Sequence, residues 1–165
     1  PGAGALNLPL PEGAGDADLA YAVGEGGLPW AESFAADVLV LQCGADGVLE
    51  DPLSRLAYTN QGIWDAVAAL LPVAPRRLVL GGGGYNPWSV GRCWAGIWGL
   101  INDAPIPDRL PPAAEAVLRG LTWRRAAGRN PPEHWFTTLR DAPRAQAIDP
   151  RTRAAVAAAR EEAAA

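Results

Sequence analysis

No lysine and no methionine occur in this chain, and it carries one histidine and two cysteines. The missing lysine excludes Schiff-base catalysis and a P-loop, since both need a side-chain primary amine. Cys43 and Cys93 lie far apart with neither CxxC spacing nor a secretory signal upstream, so they read as inert core thiols in a reducing compartment. No apolar run approaches the roughly 18 residues of a membrane span. Blocks of like charge are also missing. The 14 basic residues, all arginine, and the 18 acidic ones are interspersed, for a net charge of −4. A basic surface that tracks nucleic acid or anionic lipid is therefore not expected. The expectation is a soluble, cytoplasmic protein.

What is present is one domain's worth of chain. At 165 residues and 49% hydrophobic content a sizeable core can form. Nineteen Gly, 16 Pro and only 19% charged residues describe a loop-rich α/β protein rather than a helical bundle. Residues 1–15 are Pro/Gly-rich loop. Asp16 offers a cap for a helical pattern running to Ala36, weakened by Gly24, Gly26, Gly27 and Pro29. Asp37–Cys43 and Arg77–Leu80 read as strands of a parallel sheet, buried on both faces. Between them Thr59 or Asn60 can cap a helix through Trp64 and Leu71. Pro87 starts another, whose Val90, Cys93, Trp94, Ile97, Trp98 and Ile101 form an apolar stripe. The βαβα order predicts right-handed crossovers. Beyond residue 103 the chain reads as a Pro-rich and helical extension without a second core, with one helix near Ala113–Leu121 and a terminal helix, frayed for want of apolar anchors.

Reactive groups in parallel sheets gather at the carboxyl ends of strands, where the loops diverge. The first strand ends in Gln42-Cys43-Gly44-Ala45-Asp46, and a carboxylate there can bind a cation or simply cap a turn. The second runs into Gly81-Gly82-Gly83-Gly84-Tyr85. Four ordered glycines cost about 0.5–1 kcal/mol each, so something must require them. A dinucleotide cradle fits poorly, because GxGxxG from Gly81 would place Gly where Asn86 stands. The alternative is backbone passing close to a substrate, with Tyr85 either a hydrogen-bond donor at the crevice or a buried, satisfied phenol.

The stretches Leu41-Gln42-Cys43-Gly44-Ala45-Asp46, Asp51-Pro52-Leu53 with Thr59, Leu80-Gly81-Gly82-Gly83-Gly84-Tyr85-Asn86 and Arg92-Cys93-Trp94 closely resemble the histone deacetylase family, the bacterial acetoin-utilization type above all. Asn7-Leu8-Pro9-Leu10 extends the resemblance, which covers residues 7 to about 100. It implies an arginase/deacetylase-like α/β fold, a parallel sheet flanked by helices, of which residues 1–103 are the C-terminal half of the catalytic domain and 104–165 an extension. It also implies that Asp46 is a catalytic zinc ligand and Tyr85 the transition-state tyrosine. Pro52 and Leu53 match the wall, and Gly83 the floor, of a tunnel for an acetylated lysine or a small acetylated amine.

Two further zinc ligands and a His-His pair of the family lie upstream of what is Pro1 here. The sole histidine, His134, sits among prolines and reads as a surface loop residue. One carboxylate does not hold a catalytic zinc, which takes about three protein ligands. The expectation is a zinc-dependent deacetylase present as an inactive fragment that holds no stoichiometric zinc. The alternative is a catalytically incomplete interaction or remnant domain. A nucleotide-binding reading rests on the glycine run alone.

Overall fold

The computed structural model describes residues 4–164. Two strands, β1 (Val38–Cys43) and β2 (Arg76–Gly81), pair in parallel with Val40 opposite Leu78 and Cys43 opposite Gly81. Parallel neighbours need a crossover, and α3 (Asn60–Leu70) supplies it. A fourth helix, α4 (Pro87–Ile101), follows β2 and packs beside α3. The contact is fixed by tryptophans. Trp64 donates its indole N–H to the Cys93 carbonyl (2.8 Å), and its ring lies where a Cβ on Gly96 would collide. Trp94 donates to the carbonyl of Cys43 (2.9 Å), tying α4 to the end of β1.

Helix starts follow capping chemistry. The Thr59 hydroxyl accepts from Gly62 N–H (3.1 Å), and Asn86 accepts from the amides of Trp88 and Ser89, with Pro87 first in the helix. Upstream, α1 (Asp16–Ala22) continues through a π-helical segment (Val23–Gly27) into α2 (Leu28–Glu32). Its cap is Gly15 rather than Asp16. The Asp16 carboxylate instead accepts from the backbone and hydroxyl of Thr59 (2.8 and 2.6 Å), bracing the start of α3.

The strands are not buried on both faces, as their hydrophobic runs predict. Leu41, Cys43 and Val79 face the core under α3 and α4, whereas Val40 and Leu78 are half exposed or more, beside Val38 and Leu80. Among the described residues nothing covers that second face. The α4 stripe is likewise only partly used: Cys93 and Ile97 are buried, Trp98 and Ile101 are exposed.

The region after α4 is more closely packed than its composition predicts. It contains α5 (Pro112–Gly120), α6 (His134–Thr137) and α7 (Pro150–Ala164). Trp88 stacks on Trp135 (centroids 5.3 Å apart) and gathers Phe136, Leu118 and Trp123 into a second, smaller cluster. The terminal helix is anchored rather than frayed. Val156 and Ala159 are buried, and Asp18 of α1 accepts from the Thr152 hydroxyl (2.7 Å) and the Asp149 amide (2.8 Å). A buried aspartate 131 residues upstream of that amide supplies what helical periodicity within α7 does not. No helix among the described residues is long and apolar enough to cross a membrane.

Candidate active site

The loops leaving β1 and β2 run side by side beyond the last strand pair. Ala45 N–H donates to the Gly83 carbonyl (2.7 Å), and a Cβ on Gly82 would come within 2.9 Å of the Gly44 Cα. A Cβ on Gly83 would strike the Asp46 carboxylate, and one on Gly44 would meet its Oδ1 at 2.6 Å. Gly84 has φ of +144°, and a side chain there would also strike Val90. Gly82 and Gly83 therefore serve close approach of two backbones around one carboxylate, while Gly81 and Gly84 make room for Trp94 and Val90, at the conformational cost that such a run carries.

Asp46 is half-buried and accepts no hydrogen bond from the described residues. It lines an apolar cavity of about 300 Å³ with Leu19, Leu56 and Ile63, a cavity that Tyr85 does not line. Tyr85 lies two residues beyond the Gly83–Asp46 contact and is 48% exposed, its hydroxyl without a partner among the described residues. The buried, satisfied phenol is thereby set aside.

Tyr85 is held through its backbone. Asp51, 6% exposed, accepts from the Tyr85 amide with Oδ2 (2.7 Å) and from the amides of Leu53 (2.9 Å) and Ser54 with Oδ1. One carboxylate thus fixes both Tyr85 and the exposed Pro52–Leu53 segment. Asn86 reinforces this by donating from Nδ2 to the Glu50 carbonyl (3.2 Å). Sequence reasoning had no role for Asp51, although an aspartate two residues before a backbone amide it accepts from is an Asx turn. Asp46, Gly83, Tyr85, Pro52 and Leu53 all lie in the two strand-end loops.

Zinc sets a stricter requirement. A catalytic ion takes about three protein ligands, and among the described residues no other His, Cys, Asp or Glu joins Asp46 in such a group. The residues around Asp46 do not by themselves fit a zinc ion. The cysteines do not help: burial raises the Cys43 pKa and pushes that of Cys93 up to about 12, so both are protonated thiols.

Potential ligands do converge elsewhere. Glu50, His134 and Asp141 each place one donor atom within 4.8 Å of the others. His134 is exposed, as expected of a surface residue, but it opens the short helix α6 rather than lying in a loop, with Nε2 3.8 Å from Glu50 Oε1. Burial, then the charge of Asp141, raises the Glu50 pKa above the usual carboxylate value. Buried Arg92 stands beneath, with Nη2 2.7 Å from Asp141 Oδ1 and Nε donating to the Thr138 carbonyl (2.7 Å).

Residues 2–101 match the model of the histone deacetylase domain. Histone deacetylase 8 of Xenopus laevis is 34% identical over 107 residues, covering 64% of this chain and 33% of the relative. Histone deacetylase 9 of Arabidopsis thaliana is 31% identical over 107 residues, covering 65% of this chain and 25% of its own. The crystal structure of an HDAC homolog complexed with SAHA superposes with a TM-score of 0.84 at 27% identity, covering 93% of this chain and 41% of that one. An HDAC homolog from Aquifex aeolicus gives a TM-score of 0.83 at 26% identity, with the same coverage. The chain spans about a quarter to a third of the length of these curated relatives.

Proposed function

Because the chain belongs to the histone deacetylase family, we propose that it supplies one wall of a deacetylase active site of the acetoin-utilization type, in the cytoplasm. The reaction is hydrolysis: water adds to the acetyl carbonyl, the C–N bond breaks, and acetate and a free amine leave. The substrate is an acetylated lysine or a small acetylated amine. Residues 1–103 belong to the catalytic domain and 104–165 to an extension.

The observation that carries this reading is the unpartnered Tyr85 phenol, fixed through Asp51 beside the glycine loop that touches Asp46. Oxygen charge develops as water attacks an amide carbonyl, and a pre-positioned O–H stabilises it without reorganisation. One such donor contributes about 3–4 kcal/mol. Tyr85 is that donor. Gly83 lets backbone approach the acyl group, and Pro52 and Leu53 flank the substrate stem. Asp46 would be this chain's ligand for zinc, and the remaining ligands and the general base would have to come from residues other than these.

The test is a complete enzyme containing this chain with Tyr85→Phe. Turnover on an acetyl-lysine peptide should fall by about 10²-fold or more with zinc content unchanged, and near-normal turnover would refute the role. A second reading, a catalytically incomplete interaction domain, draws on the solitary carboxylate at Asp46, and it requires that every longer form of the protein also fail to deacetylate.

A further inference from the structure

We propose that Glu50, His134 and Asp141 form a second divalent-metal site, separate from Asp46, that takes a zinc-class ion and fastens the strand-end loop to the C-terminal extension. The three residues come from three places: the loop after β1, the first residue of α6, and the segment that follows α6. One imidazole nitrogen and two carboxylates make a donor set that suits a borderline divalent ion. Their donor atoms lie within 4.8 Å of one another. Bonds of about 2.0–2.2 Å require the side chains to draw in, and half-exposed His134 is free to do so.

A second observation points the same way. The Asp141 side chain is 7% exposed, and its Oδ1 accepts no hydrogen bond although Arg92 Nη2 is 2.7 Å away in ion-pair contact. The Arg92 guanidinium is therefore the sole partner of that oxygen among the described residues, an ion pair without hydrogen-bond geometry, which leaves a lone pair open to a cation. Arg92 pairs with Asp141 alone, so the second carboxylate, Glu50, is left without an arginine partner among the described residues. Burial, and after it the charge of Asp141, raises the Glu50 pKa, and a cation between the two carboxylates would offset both. A cavity of about 280 Å³, lined also by Tyr58, Thr59 and Arg144, leaves room for water to complete the coordination. Glu50 immediately precedes Asp51, so an ion here would brace the segment that holds Tyr85.

The inference does not depend on the deacetylase reading, and its test is made on this chain alone. Calorimetric titration with ZnCl₂ should show one ion bound by the unaltered chain and by Asp46→Ala. Glu50→Gln and His134→Gln should each weaken binding at least tenfold, since even outer-shell changes cost about 10–100-fold. Zinc should raise the melting temperature of the unaltered chain and not that of Glu50→Gln. Asp141→Asn, checked by circular dichroism for folding, should behave like Glu50→Gln. Absence of binding at millimolar zinc would overturn the proposal. So would binding abolished by Asp46→Ala but untouched by Glu50→Gln, a result that would leave the strand-end site standing.

Discussion

Asp46 at the strand ends and the acids that hold the belt from Thr137 to Thr152, Asp18 of α1 and Asp141 of the belt itself, are used in opposite ways. The acids that hold the belt accept backbone hydrogen bonds. Asp18 accepts from Gly15, Asp149 and Thr152, while Asp141 accepts from the Asn60 amide (2.8 Å) and pairs with buried Arg92. At the strand ends Asp46 accepts nothing from the described residues, and Tyr85 presents a free phenol. Hydrogen bonds accepted from the backbone of a distant segment mark a carboxylate that holds the fold together. Pairing left open beside a four-glycine approach marks one available for chemistry.

Mutations in the two regions should therefore separate stability from activity. Arg92→Ala strands Asp141 in the interior and should destabilise the chain by about 3–5 kcal/mol, measured by urea unfolding. A loss below about 1 kcal/mol would show that the belt is not a structural element. Asp18→Ala orphans two backbone amides and a hydroxyl that are buried or nearly so, and should cost about 3 kcal/mol, lowering the melting temperature by roughly 10 °C. Tyr85→Phe should reverse the pattern, with the 10²-fold activity loss in a complete enzyme and a melting temperature within about 1 °C of the unaltered protein.

The pH dependence of Glu50 gives a smaller effect. Burial raises its pKa, so the folded state prefers the protonated carboxyl; that stabilising contribution is present in acid and lost as pH rises through the raised pKa. Glu50→Gln mimics the protonated form. With chelator present it should raise the melting temperature by about 2 °C at pH 8 and leave it unchanged near pH 4; equal gains at both would contradict the burial argument. Smallest of all, Asp46→Ala should alter stability by under about 0.5 kcal/mol, and a larger loss would place Asp46 with the belt acids.

Much of the fold was legible along the chain. The runs at Val38–Cys43 and Arg76–Gly81 are strands, Thr59 caps one helix and Pro87 opens the next. These are local effects: β-branched packing, turn residues and side-chain acceptors within three residues of the amides they bind. The exposure of Val40 and Leu78 was not legible, because a run of apolar residues records what a strand can bury and not what covers it. The anchoring of α7 was hidden for a related reason, its main polar contact coming from Asp18.

At the candidate site the same division holds. Sequence alone determined the residue types at the strand ends, the glycine run with its tyrosine, and the family to which they belong, since motif identity and backbone permissiveness are properties of neighbouring residues. Only tertiary structure decided that Asp51 clamps Tyr85, that the glycines make room for Asp46, and that the lone histidine meets Glu50 and Asp141. Those contacts join residues tens of positions apart, and hydrogen bonds and packing act through space, which spacing along a chain does not encode.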